Sequence, residues 1–280
     1  MKKNFSTLVN KNTITSIAIG GFDGMHAAHQ ELFKRLDENG AILSIESGYA
    51  TLTPKKYRQE YSKYPIYYYV LGDIKHLSGD KFIELLKEEY PKLKRIVVGF
   101  DFCFGKNRAY CIQQLKDVFD GEVIVVNEFK INNISVHSRT IREYISNGDL
   151  KTANKLLTKE YKIYGTQIKG QGLGSKSFVP TINLKVEDFL LPQSGVYITK
   201  TILNDIEYDS ITFLGHRVST DGYYAIETHI LDSNIQNDDY EIQIKFFKKI
   251  RDNRKFESFE ALKEQILSDI NEAKEYLAKI

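Results

Sequence analysis

His26 and His29 stand three residues apart at the end of Gly20-Gly21-Phe22-Asp23-Gly24-Met25-His26-Ala27-Ala28-His29, where a short apolar run hands over to a helical pattern. Two imidazoles on one face of a helix start lie beside unsatisfied backbone N–H groups and the positive end of the helix dipole. That combination is an anion site, able to donate hydrogen bonds to phosphate oxygens and to stabilise charge that grows as a nucleotide's α-phosphate is attacked. A plainer reading is a capped helix with histidines on the surface or in the core. Further on, Val98-Gly99-Phe100-Asp101-Phe102-Cys103-Phe104-Gly105-Lys106-Asn107-Arg108 sets two aromatic rings among glycines and two cations. Such a loop suits a flat, phosphorylated ligand, or else Phe102 and Phe104 are simply core. Arg142 offers a charge-assisted phosphate contact, the alternative being an ordinary exposed helical arginine.

In the second half, Gly170-Gln171-Gly172-Leu173-Gly174 is a GxGxG strand-end loop whose successive backbone N–H groups could cradle phosphates. Pro180-Thr181-Ile182-Asn183 follows, and its hydroxyl and carboxamide are hard oxygens suited to Mg²⁺. Taken alone, GxGxG fits a plain flexible hairpin as well.

These groups need elements to position them. Residues 16–19, 41–44, 66–71, 95–98 and 122–126 are short, almost wholly apolar runs, the pattern of strands in a mostly parallel sheet. Helical stripes lie between them: His29, Leu32, Phe33 and Leu36; Phe82, Leu85 and Leu86; Ile141, Tyr144 and Ile145. This alternation is the α/β signature. After Thr158 the rhythm is β only, with strand-like segments at 161–169, 195–203, 206–214, 224–231 and 241–250 that suggest a small barrel. Residues 258–280 carry apolar positions at spacings of three and four, an amphipathic helix packed on something. The change of period divides the chain into residues 1–158 and 159–280.

Composition bounds the class. The 280 residues carry a net charge of +2, with 42% hydrophobic, 27% charged and few Pro or Gly, which argues against disordered, collagenous or membrane-embedded protein. Cys103 and Cys111 are too few for a disulfide framework and lack a zinc context, so they read as reduced cytoplasmic thiols. The first residues do not form a convincing signal peptide, and nowhere do about 18 apolar residues run together, so neither secretion nor a membrane helix is expected. The charge balance gives no support for nucleic-acid binding.

GGFDGMHAAH resembles the GxFDGxHxGH signature of bacterial bifunctional riboflavin kinase/FAD synthetases, and further segments follow in family order. The resemblance implies a Rossmann-like nucleotidyltransferase domain followed by a Greek-key β-barrel riboflavin kinase domain with a C-terminal helix. It places His26 and His29 at the ATP site for adenylyl transfer, with the turn Gly21, Asp23 and Gly24 against the nucleotide. The segment 98–108 is similar to VGxDFxFGxxR, which assigns Asp101, Phe102 and Phe104 to the flavin. Residues 134–142 are similar to ISSTRIR, which assigns Ser138, Arg139 and Arg142 to the triphosphate. GxGxG with PTIN resembles the kinase pattern ending in PTAN, making Gly170, Gly172 and Gly174 the phosphate loop and Thr181 and Asn183 the Mg²⁺ residues. Residues 226–232 match VExHxxD, and Glu227 takes the place of the glutamate that accepts the proton of the riboflavin 5′-hydroxyl. Residues 247–256 resemble FLxxLRxExKF, which puts Arg251 near the flavin; a basic barrel edge is the equal alternative.

The implied activity is phosphorylation of riboflavin to FMN with ATP and Mg²⁺, then adenylylation of FMN to FAD. Three departures motivate a rival, a monofunctional riboflavin kinase: Ala28 where the family has glycine, the order Arg139-Thr140 where it has Thr-Arg, and a poor match around residues 49–54. A non-catalytic flavin- or RNA-binding regulator on the same scaffold is a rival of another class. Oligomeric state is not readable.

Overall fold

The computed structural model describes residues 10–48, 51–168, 179–217, 222–232 and 241–280. The chain divides into two compact units, residues 1–138 and 139–280. In the first, β1 (Ser16–Gly20), α1 (Ala27–Phe33), β2 (Gly40–Glu46), β3 (Ile66–Val70), α2 (Leu71–Ile74), α3 (Gly79–Glu89), β4 (Arg95–Gly99), α4 (Ile112–Val118) and β5 (Glu122–Val126) follow one another, and a short hairpin, β6 (Lys130–Ile131) with β7 (Ile134–Ser135), closes it. The five long strands form a parallel sheet in the order β3-β2-β1-β4-β5. Ile17 and Ile19 of the central strand join one core cluster while Ala18 joins the other, so both sheet faces are covered. Burial on both faces is why these strands read as unbroken apolar runs rather than alternating ones. Strand order reverses at β1, and the crevice beyond the carboxyl ends of β1 and β4 is where this architecture binds ligands.

The second unit holds α5 (Ser138–Ser146, from its second residue), α6 (Leu150–Leu157), then β8 (Tyr161–Ile168), β9 (Ile182–Val186), β10 (Gly195–Leu203), β11 (Ile206–His216), β12 (Tyr224–Ile230) and β13 (Glu241–Arg251), and ends on α7 (Phe259–Leu277). The strands close into a barrel in the order β10-β11-β12-β9-β8-β13. Consecutive strands β9 and β10, and β12 and β13, are not neighbours, which is the Greek-key arrangement. By packing, α6 belongs with the barrel: the Asn154 carboxamide donates to the Phe246 carbonyl at 2.7 Å and accepts from Tyr161 N–H at 2.8 Å. Inside the barrel Thr199, Thr201, Ser210, Thr212 and Thr228 are fully buried. Their hydroxyls bond one another at 2.8–3.1 Å, so no hydroxyl loses its partner on burial.

Three expectations change. β9 and the β6–β7 hairpin were not expected as strands, and Leu71 opens α2 rather than ending β3. The apolar stripe of α7 packs through its second half, where Ala273 and Leu277 meet Ile198, Ile211 and Leu231, while Phe259 and Ile280 stay exposed.

Candidate active sites

The turn from β1 into α1 is unusually constrained. Phe22 and Met25 hold positive φ, as does Gly24 at 86°. Such backbone is costly away from glycine and persists only where its surroundings enforce it. The surroundings are visible. The Asp23 carboxylate is buried and accepts from Leu52 N–H at 3.0 Å and Thr53 N–H at 2.9 Å. Beneath the turn Arg58 is fully buried; it pairs with Glu46 at 2.6 Å and donates to the Gly21 carbonyl at 3.1 Å and the Thr53 carbonyl at 2.9 Å. Asp23 and Arg58 thus tie the turn to residues 52–58 through backbone atoms. The Asp23 carboxylate thereby anchors the turn on main-chain donors.

His26 caps α1. Its Nδ1 accepts from His29 N–H at 3.4 Å, which in the neutral imidazole leaves the proton on Nε2, 3.3 Å from Ser138 Oγ. That hydroxyl donates in turn to the Asp23 carbonyl at 2.7 Å. The His29 ring stacks on His26 with centroids 3.5 Å apart and meets Phe22 edge-on. His26, His29, Ser138 and the Asp23 carbonyl therefore form one cluster at the carboxyl end of the central strand. His26 is 3% exposed, while His29 is only half-buried and is the imidazole nearer to solvent.

In the barrel Glu227 of β12 pairs directly with Asn183 of β9 in the antiparallel ladder. Directly opposed residues share a face, and Thr181 stands exposed immediately before β9. His229 holds Pro180: a carbonyl only accepts, so Nδ1–H donates to Pro180 O at 2.8 Å. Burial lowers the His229 pKa below its usual value, in keeping with a neutral tether. Arg217, just past β11, donates through Nε to Glu227 Oε1 at 2.7 Å and through Nη2 to Asn183 Oδ1 at 2.8 Å.

A riboflavin kinase family model matches residues 157–277 and an FAD synthetase model matches residues 66–140. The bifunctional riboflavin kinase/FMN adenylyltransferase of Haemophilus influenzae is 29% identical over 93% of this chain and 94% of its own. The protein of the same description from Bacillus subtilis is 27% identical over 94% of this chain and 93% of its own. The chain belongs to the bifunctional riboflavin kinase/FMN adenylyltransferase family. A crystal structure of a macrolide-efflux protein from Streptococcus pneumoniae shares the fold, with TM-score 0.83 and 25% identity over 94% of each chain. Among the described residues no helix is long and apolar enough to cross a membrane.

Against the family pattern the remaining expected residues divide. Phe104 is core: it is 8% exposed, stacks on Phe102 with centroids 5.5 Å apart and packs against Phe82 and Tyr110. Phe102 is half-buried against the same cluster, and Asp101 is exposed, its carbonyl accepting from Arg108. Cys103 and Cys111, expected as reduced thiols, are joined in a disulfide. Phe104 and Tyr110 exchange both backbone hydrogen bonds, and this antiparallel bridge brings the flanking cysteines to a Cα separation of 4.1 Å. Gly105 is required there, because its φ is +73° and a Cβ would lie 2.8 Å from the Gly79 nitrogen.

Arg139 points to solvent, 90% exposed, with Glu143 one turn on, whereas Arg142 is half-buried on the same helix. Arg251 grips the buried Asp269 of α7 with Nε and Nη2 at 2.8–3.1 Å and lies over Phe256. Gly170, Gly172 and Gly174 lie outside the described residues. Sequence reasoning missed Arg58 and Arg217; neither belongs to a motif that it singled out.

Proposed function

We propose that the chain makes FAD from riboflavin in two steps, with the functional boundary at 158/159 although α5 and α6 group with the second unit. In the barrel the riboflavin 5′-oxygen attacks the γ-phosphorus of ATP and ADP leaves. Glu227 accepts the hydroxyl proton as the new O–P bond forms. The Thr181 hydroxyl and the Asn183 carboxamide oxygen are the groups that would hold Mg²⁺. Both are neutral hard oxygens, and Asn183 Oδ1 accepts from Arg217 at 2.8 Å through one of its two lone pairs, which leaves the other for an ion. That donor set fits a hard ion bound mainly through substrate phosphates. When bound, the ion neutralises phosphate charge.

In the α/β domain the FMN phosphate attacks the α-phosphorus of a second ATP and pyrophosphate leaves. FMN brings its own nucleophile, so the protein acts by position and charge. His29, backed by His26, donates to the phosphate on which charge develops; Gly21 and Gly24 shape the turn around the nucleotide. Ser138, Arg139 and Arg142 are proposed for the triphosphate, and Asp101 and Phe102 for the flavin. We place the reaction in the cytoplasm, where a reducing pool would tend to open the Cys103–Cys111 bond.

The observation that carries this reading is the direct pairing of Glu227 with Asn183, the proton acceptor beside the proposed ion ligand. Its test is Glu227→Gln offered riboflavin and FMN separately. FMN formation is expected to collapse while FAD formation from supplied FMN continues; an undiminished riboflavin kinase rate would remove the assignment. The monofunctional rival rests on Ala28 and Arg139, and it requires that wild-type enzyme leave supplied FMN unchanged.

A further inference from the structure

We infer that Arg217 is a positioning residue of the kinase step, a single guanidinium that sets the rotamers of both Glu227 and Asn183. The inference rests on the reading of Glu227 as proton acceptor. In the β12–β9 ladder the backbone fixes how far apart the two residues stand, but that contact is only two residue pairs long, Glu227 with Asn183 and Thr228 with Ile182. Nothing in the ladder fixes the side-chain torsions, and a glutamate left alone samples several staggered rotamers. Arg217 supplies that restraint. Nε–H and the neighbouring Nη2–H lie on one edge of the planar fork and reach the carboxylate at 2.7 Å and the carboxamide at 2.8 Å.

The main chain of Arg217 is itself held. Arg217 N–H donates to the Tyr223 carbonyl at 3.0 Å, and Gly222 N–H donates to the Arg217 carbonyl at 3.1 Å. The residue follows β11, which is in register with β12 from His216 opposite Tyr224 to Phe213 opposite Glu227. These bonds fix the main chain of Arg217 at the end of β11, beside the strand that carries Glu227. Oε1 is the oxygen that Arg217 holds, which leaves Oε2 to accept the substrate proton. The same bond makes the Asn183 oxygen face a fixed direction rather than flipping with its NH₂ group.

The test is a kinetic cycle on the full chain with Arg217→Ala, Arg217→Lys, Glu227→Gln and the Arg217→Ala/Glu227→Gln double variant, with riboflavin affinity measured independently by quenching of flavin fluorescence. We expect Arg217→Ala to lower kcat for FMN formation about 10- to 100-fold. Riboflavin KM and affinity should stay within about threefold, and FAD formation from supplied FMN should be unchanged. The double variant should be no slower than Glu227→Gln alone, because groups that act as a unit are not additive. Arg217→Lys should recover part of the rate, and it carries the test should the alanine variant fail to fold. Full activity of Arg217→Ala beside a dead Glu227→Gln would overturn the inference and spare the proton-acceptor reading. So would multiplicative losses in the double variant, or faster turnover at lower Mg²⁺, which would make Arg217 an obstruction. Full activity of Glu227→Gln would bring down both.

Discussion

His26 is 3% exposed and is held by backbone partners and a neighbouring hydroxyl, whereas Glu227, with 23% of its side chain exposed, is held by another side chain. The difference extends to the surroundings. Around the histidine turn, Asp23 and Arg58 lock loop to loop through main-chain atoms in the interior of an α/β unit. Around Glu227 the scaffold is a strand face, and orientation comes from Arg217 and His229 at its rim. A site assembled on buried backbone couples chemistry to folding. One assembled on half-exposed side chains can lose its chemistry and keep its fold.

Four substitutions sharpen that contrast, from the largest expected effect downward. Glu227→Gln should lower the rate of FMN formation by about 10²–10⁴ with no change in thermal midpoint, seen by steady-state kinetics beside calorimetry. A matching drop in stability would break the contrast on the barrel side. Arg58→Leu should destabilise the first unit by about 3 kcal/mol or more, since it strands a partly buried Glu46 and removes donors from two carbonyls. Chemical denaturation should show this loss together with loss of FAD formation, while riboflavin is still phosphorylated. Cys111→Ser should cost about 2–3 kcal/mol in the chain-entropy account of closing a short loop. Wild-type protein in strong reductant should melt where the variant melts; equal midpoints with and without reductant would mean that the bond does not form. Ala28→Gly restores the family residue inside α1 and should cost about 1 kcal/mol of helix stability. We expect at most a modest change in the KM for ATP, whereas a large gain in FAD formation would show that the Ala28 methyl obstructs nucleotide.

The parallel strands were legible because burial on both faces leaves short apolar runs bounded by turns, and each lies within a few residues of its expected place. The barrel strands showed as strand-like runs between turns, except β9, whose first two residues, Ile182 and Asn183, were read as the end of a ligand motif. What escaped was decided by tertiary contact. Arg58 sits in Lys55-Lys56-Tyr57-Arg58-Gln59-Glu60-Tyr61, which on paper is a solvated, charged stretch, and only the fold shows it fully buried. The disulfide depends on a single antiparallel bridge between Phe104 and Tyr110, for which an eight-residue separation gives no signal. Phe102 and Phe104 illustrate a lasting ambiguity: clustered aromatics have the same composition as core and as ligand platform, and here Phe104 went to the core. Arg251 was read through its resemblance to FLxxLRxExKF or as part of a basic edge, and its partner Asp269 lies on a helix 18 residues on, a pairing visible only once α7 is docked.

The central claim is that one chain carries two working sites. Purified protein incubated with riboflavin, ATP and Mg²⁺, its flavins then separated and identified by fluorescence, tests it directly, and the absence of Trp keeps the flavin signal clean. The account predicts that FMN forms first and FAD accumulates from it. Flavin that stops at FMN, and stays FMN when FMN is supplied, would contradict the claim for the α/β site, and riboflavin left unchanged would contradict it for the barrel.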